Sequence, residues 1–334
     1  MRFRRVRGRA LLVTALALAL AAGCSSRMGS ANASYIEDPN LNVAVVPALD
    51  SAGFFVALYG GLFKAEGLNV HFTPATSSET VIADQAKGIY DITGGNYVSY
   101  IQAQQRGEAN LYIFAEGSVM EPGSQGIYTM PDSKITDLAG LKGKTVAINA
   151  PKNILYLLAA SMMTERGVDP HSVKFVNVPF PKMATELASG AIDAALLPEP
   201  FASQAEESYG AIPLVDLNQG ATTSFPVAGY VVTKQWAAKY PRTLAAFYRA
   251  LEEGQQAADT NRADVEQAME HLPVKPVPFA VSKETAAVMA LDSYPVSSGP
   301  AGSVDLVRLE RVVNVMHQFL GFGTFDVKSM LVNG

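Results

Sequence analysis

Four places in this 334-residue chain set small polar or glycine residues directly before an amphipathic stretch: 50–53, 76–78, 94–97 and 150–153. Such helix starts leave backbone N–H groups unpaired at the positive end of the helix dipole, so each can hold an anionic oxygen without a side-chain cation. In the first, Asp50 or Ser51 caps a helix carrying Phe54 and Phe55. Adjacent helical residues diverge, so one of the two phenylalanines belongs to the core and the other is free to wall a cleft. In the second, Thr76 and Ser77 present hydroxyls that serve equally as plain caps or as ligand contacts. In the third, Gly94 and Gly95 allow close approach of another group, while Asn96 and Tyr97 read as either structural or ligand-facing. In the fourth, Lys152 stands between Pro151 and Asn153 as the only cation of the four openings, either solvated or facing a ligand. Two carboxylates stand against a simple anion: Asp50, and Glu199 in Pro198-Glu199-Pro200. Beside an oxyanion both would oppose binding through desolvation and repulsion. They suit a ligand bearing an amine, unless Asp50 merely caps its helix and Glu199 only packs between elements.

Catalytic motifs are missing. The four histidines (His71, His171, His271, His317) show no metal-ligand spacing, and there is neither a Gly-x-Ser-x-Gly elbow nor a Gly-x-x-x-x-Gly-Lys phosphate loop. No catalytic residue, metal or cofactor is expected, although distant residues can still assemble a site in three dimensions.

The elements that must position these residues alternate. Short apolar runs at 41–46, 68–72, 90–93 and 111–115 are predicted strands, separated by predicted helices that end near Gly88 and Arg106. The same grammar restarts beyond Pro131, with strands at 145–148, 173–178 and 194–197 and helices at 154–165 and 182–189, the first of these carrying Tyr156 towards the core. The run 225–233 reads as an edge or crossover strand because it contains a proline. After Tyr240-Pro241 the pattern turns helical, with amphipathic stretches at 244–258 and 304–319 expected to cover the first sheet, a Pro-rich stretch at 272–278 and a surface loop at 297–302. Alternation of this kind defines an α/β fold with mostly parallel sheets. The restart implies two lobes: 40–128 with 230–334, and 129–229, joined by hinge crossovers near 127–131 and 224–231.

The amino terminus has its own chemistry. Five arginines (Arg2, Arg4, Arg5, Arg7, Arg9) precede an apolar stretch, 10–22, that is too short to span a membrane and ends at Leu-Ala-Ala-Gly-Cys. It reads as a signal peptide over 1–23, and Leu20–Cys24 resembles a bacterial lipobox, with Ala21 where a larger aliphatic residue is usual. Cys24 is the chain's single cysteine and cannot form an internal disulfide, so lipidation is its expected fate. Residues 24–39 then form a flexible tether between the outer face of the cytoplasmic membrane and the fold. Without residues 1–23 the formal charge moves from −5 to −10, and no basic run points to nucleic acid.

Several runs together resemble the solute-binding proteins of bacterial ABC importers, closest to the group serving nitrate, sulfonates, taurine and thiamine-pyrimidine precursors. They are 57–70 (Ala-Leu-Tyr-Gly-Gly-Leu-Phe-Lys-Ala-Glu-Gly-Leu-Asn-Val), 87–92 (Lys-Gly-Ile-Tyr-Asp-Ile), 137–147, and 188–201, from Ala-Ser-Gly-Ala-Ile-Asp to Glu-Pro-Phe. The resemblance implies a periplasmic-binding-protein-like clamshell of the second type that closes over a small molecule and docks, as a monomer, on a permease with its ATPase. A fungal thiamine-pyrimidine synthase shares the fold, but its family carries a cysteine-rich segment that this sequence lacks.

Overall fold

The computed structural model describes residues 35–272, 286 and 304–331. The signal segment with Cys24, most of the tether, residues 273–278 of the Pro-rich stretch and the loop at 297–302 lie outside these residues.

Short, β-branched runs form two five-stranded sheets. In the first, β1 (Asn40–Val45) pairs parallel with β2 (Asn69–Pro74) and β3 (Ile92–Asn96). Val43, Ala44 and Val45 are successively buried, the continuous apolar run of a strand covered on both faces. The order is completed by β10 (Pro226–Thr233), antiparallel between β3 and β4 (Leu111–Val119). The proline-containing run is therefore an interior crossover strand, with Pro226 tolerated as its first residue. In the second sheet β7 (Lys174–Asn177), β6 (Thr145–Ile148) and β8 (Ala194–Pro198) run parallel, and β5 (Gln125–Thr129) lies antiparallel between β8 and β9 (Ile212–Asp216).

The chain thus leaves the first sheet after Val119 and is already in the second at Gln125; it returns between Asp216 and Pro226. The outward crossing comes earlier than the sequence pattern implies. The five residues of β5 are flanked by Gly123 and Pro131, which gives a buried central strand the look of a linker.

Helices cover both sheets: α1 (Ala52–Tyr59), α2 (Leu62–Ala65), α3 (Ser78–Ala86) and α4 (Tyr97–Gln105) in the first lobe, α5 (Ile154–Glu165), α6 (Phe180–Ala188) and α7 (Phe201–Tyr209) in the second. After α8 (Lys234–Lys239), the 20-residue α9 (Pro241–Thr260) lays Ala246, Phe247, Ala250, Leu251 and Gly254 on α1, and α10 (Arg262–Glu270) follows. The two backbones touch, since a Cβ on Gly254 would collide with the carbonyl oxygen of Gly53. Phe54, fully buried, sits here among Phe55, Phe63, Phe72, Tyr230 and Phe247. The last helix, α11 (Leu306–Leu320), packs on α4 and on α5, so it spans both lobes rather than covering the first sheet alone. Its Arg311 donates to the carbonyls of Ala221, Thr223 and Ser224, at 2.7, 2.8 and 3.1 Å, in the returning crossover.

Candidate functional site

Between the lobes, beyond the carboxyl ends of β1, β3, β6 and β8, lies a cavity of about 30 Å³. Its first-lobe wall includes Val46, Asp50, Ser78 and Asn96; its second-lobe wall includes Gln125, Asn149, Asn153, Ile154 and Phe180. Parallel sheets place ligand sites at this end because the following helices begin there. Four do so here: α3 at Ser78, α4 after Asn96, α5 after Asn153, and α6 at Phe180.

The caps are interlocked. Asn96 Oδ1 accepts from Ser99 N at 2.9 Å, and its amide donates to Ser78 Oγ at 3.0 Å. Ser78 Oγ also accepts from Asn96 N at 3.0 Å, so both hydroxyl lone pairs are used and its own hydrogen remains for the cavity. Asn153 Oδ1 accepts from Leu155 N at 3.1 Å and from Tyr156 N at 3.4 Å, while its amide donates to Asn149 Oδ1 at 2.6 Å. Each asparagine spends its carbonyl on a helix start and keeps a spare amide hydrogen.

Asp50 is the only ionisable side chain among the described residues that line the cavity. Burial pushes its carboxyl up from 3.8 to about 6, against the opposing effect of the Ser51 hydroxyl, which donates to Oδ1 at 3.2 Å. Tyr230 bonds the same serine, and both Tyr230 and Tyr100 feel the Asp50 charge. Burial, first, raises both phenols far above their ordinary range, helped at Tyr230 by that charge and at Tyr100 by Tyr230 and then by that charge. The result is a half-buried carboxylate oriented by a serine–tyrosine relay and facing no cation among the described residues.

The lobes are shut. Leu49 N donates to Glu199 O at 2.9 Å, Gln102 Nε2 to Lys152 O at 2.9 Å, and Asn149 Nδ2 to Thr76 O at 3.4 Å. The space left between them is small, about 30 Å³, and stays partly open to solvent.

Of the residues singled out in the sequence, Asp50, Asn96 and Asn153 meet at the cavity. Ser51 stands behind Asp50. Thr76 and Lys152 contribute backbone carbonyls to the lobe contact, with their side chains exposed; Lys152 has φ 53, a left-handed turn. Ser77 caps α3 through Thr80 N. The space a Cβ would need at Gly95 is held by Ser78 and Tyr100. Tyr97 is buried, its phenol bonded to the Gly117 backbone and its ring against Gly229. Burial, with Glu116 nearby, raises that phenol well above its usual value. Glu199 turns its carboxylate back on its own helix, where Oε2 accepts from Ser203 N at 3.2 Å, and meets the other lobe through its carbonyl. Phe54 lies in the core. Gln125 and Asn149 are lining residues that the sequence pattern does not mark; Ser78 lies in the 76–78 opening that it does mark, beside the Ser77 that caps the helix.

A larger open groove of about 600 Å³ lies at the other end of the first sheet. Its most prominent polar pair, Trp236 Nε1 and Asp91 Oδ1, is bonded together at 2.9 Å, and the short helix α8 that starts at its wall is already capped by the Thr233 hydroxyl.

Two mixed α/β lobes joined by two crossovers, with converging helix starts between them, make this a periplasmic-binding-protein fold of the clamshell type. Three solved structures share it. The ligand-binding component of an ABC-type import system from Staphylococcus aureus, with zinc bound, is similar with a TM-score of 0.74 at 13% identity, over 88% of this chain and 96% of that one. The alkanesulfonate-binding protein SsuA from Xanthomonas axonopodis, bound to MOPS, gives 0.71 at 14%, over 87% and 96%. The periplasmic nitrate-binding protein NrtA from Synechocystis gives 0.64 at 19%, over 75% and 69%. At such identities the likeness is one of fold. No curated protein matches in sequence. Residues 48–263 match the NMT1/THI5-like family, and the chain belongs to it.

Proposed function

We propose that this protein is the extracytoplasmic solute-binding component of an ABC importer, exported by its signal peptide and held at the membrane by lipid on Cys24. It captures a small polar molecule between its lobes and delivers it, as a monomer and without turnover, to a permease coupled to an ATPase. The observation that carries this is the cavity between the lobes, where four helix starts converge on a space that the lobes close. The solute class is that of the sulfonate- and nitrate-binding proteins sharing the fold, with taurine included. A second reading, a nitrogenous solute such as a thiamine-pyrimidine precursor, is favoured by Asp50. Its carboxylate faces the cavity with no cation beside it among the described residues, and a ligand N–H would complete it.

A thermal-shift screen of the purified full chain tests the capture of a solute, using sulfonates, nitrate, bicarbonate and pyrimidine precursors, with peptides and sugars as controls. Stabilisation by one of the first group is expected; stabilisation by a peptide or sugar alone would refute the class. For the anchor, Cys24→Ser should move the exported protein from the detergent phase to the aqueous phase on Triton X-114 partition. Retention in the detergent phase would remove lipid attachment at Cys24.

A further inference from the structure

Gln125 opens β5 and lines the cavity from the second lobe. Its backbone is engaged, the carbonyl accepting from Leu217 N at 3.0 Å. Its side chain is different. The residue is 2% exposed, and Oε1 is buried without a hydrogen-bond partner among the described residues. Buried amides are normally satisfied, because one left unpaired forfeits its water bonds for nothing. No neighbouring side chain is bonded to Oε1: the Asn153 amide donates to Asn149, and Ser124 belongs to the turn before the strand.

The polar inventory of the closed site then divides by kind. The Ser78 hydroxyl and the spare amide hydrogens of Asn96 and Asn153 are donors at helix starts, suited to an oxyanion. Asp50 from the first lobe, bonded to the Ser51 hydroxyl, and Gln125 Oε1 from the second, bonded to nothing, are acceptors with capacity to spare. A solute made only of acceptor oxygens would answer the first set and leave the second unmet. An ammonium answers the second, with one hydrogen for each lobe.

We propose, on the premise that this cavity captures a solute, that Gln125 is the second lobe's specificity-determining contact: its carbonyl accepts from a ligand N–H that Asp50 also binds. The site therefore prefers a small nitrogen-bearing solute, an amine with an oxyanion tail, over nitrate or a plain alkanesulfonate. Because the shared ammonium joins an acceptor from each lobe, the same contact favours the shut form.

The test is calorimetric titration of the full chain with 2-aminoethanesulfonate, ethanesulfonate and nitrate, on the unaltered protein, Gln125→Met and Gln125→Glu. The unaltered protein should bind the amine at least about tenfold more tightly than ethanesulfonate. Gln125→Met should lose about tenfold or more for the amine and nothing for ethanesulfonate, whereas Gln125→Glu should retain the amine. Ligand-free Gln125→Met should melt no lower than the unaltered protein, since an unpaired amide has been removed; this shows that lost binding is not lost folding. Equal binding of amine and ethanesulfonate, or equal losses for both in Gln125→Met, would overturn the role of Gln125 and leave solute capture standing. Binding of none of the three by the unaltered protein would overturn the preference for an amine with an oxyanion tail, and the broader thermal-shift screen would then decide solute capture separately.

Discussion

Proton concentration should separate amine-bearing solutes from simple oxyanions at this site, because Asp50 titrates within an accessible range. Its carboxyl is raised from 3.8 to about 6 by burial in the shut cleft. The groups facing it are Ser51, Tyr100 and Tyr230, and the two phenols stay neutral throughout because burial raises them. Glu79, which Tyr100 also feels, is held by the Ser99 hydroxyl and lies off the cavity wall. An ammonium needs the ionised carboxylate, of which about one part in ten remains at pH 5. Affinity for an amine-bearing solute should thus fall about tenfold between about pH 7.5 and pH 5. An oxyanion without N–H groups needs the protonated form and should gain about thirtyfold over the same interval. Asp50→Asn should abolish either slope and weaken the amine by about thirtyfold or more at about pH 7.5. Ligand-free stability follows the opposite sense from a salt-bridged carboxylate. The folded protein holds this proton more tightly than the unfolded chain, so the penalty is absent below about pH 4, grows through about pH 4 to 6 and is complete above. Asp50→Asn should therefore raise stability at neutral pH by about 1–3 kcal/mol, the upper figure being the full shift and the lower allowing for the residue's remaining accessibility. Calorimetry across this pH range and urea melts at its two ends would measure both effects. Amine affinity that rises on acidification, or an Asp50→Asn protein that binds and melts unchanged, would refute the assignment.

Two further outcomes follow from packing. Gly95→Ala would drive a Cβ into Ser78 Oγ and displace the hydroxyl that holds Asn96, so solute affinity should fall about tenfold or more while the far-ultraviolet spectrum stays that of the parent. Glu37 accepts from Thr243 N at 2.8 Å and from Arg242 N at 3.1 Å at the start of α9. Burial pulls its pKa up, but these bonds outweigh it and the net shift is downward. Glu37→Gln should cost about 1 kcal/mol at neutral pH in denaturant melts, and the difference should disappear as the pH falls below the carboxylate's titration.

Helix starts were legible in the sequence because capping chemistry is local. Ser77, Asn96 and Asn153 each precede an apolar run, and all three cap in the structure. The α/β alternation and the two-lobe plan were legible for the same reason, being carried by strand and helix periods. What escaped depends on distant partners. Whether Phe54 or Phe55 walled a cleft could not be read until α9 and β2 covered both rings. The direction of Lys152 hangs on one left-handed residue, and that of Glu199 on a bond to its own helix. Gln125 carried no local signal, since an unpaired amide is recognised only when everything around it is in place.

The narrowness of the cavity between the shut lobes also bears on the order of events. A solute of several heavy atoms does not fit a space of about 30 Å³, so the first encounter falls to the open form, at a half-site offered by one lobe, and closure follows it. Association should track the fraction of molecules that stand open, and escape should wait on the rupture of three inter-lobe bonds involving Glu199, Lys152 and Thr76 carbonyls. Residence time is then a property of the doorway as much as of the cargo.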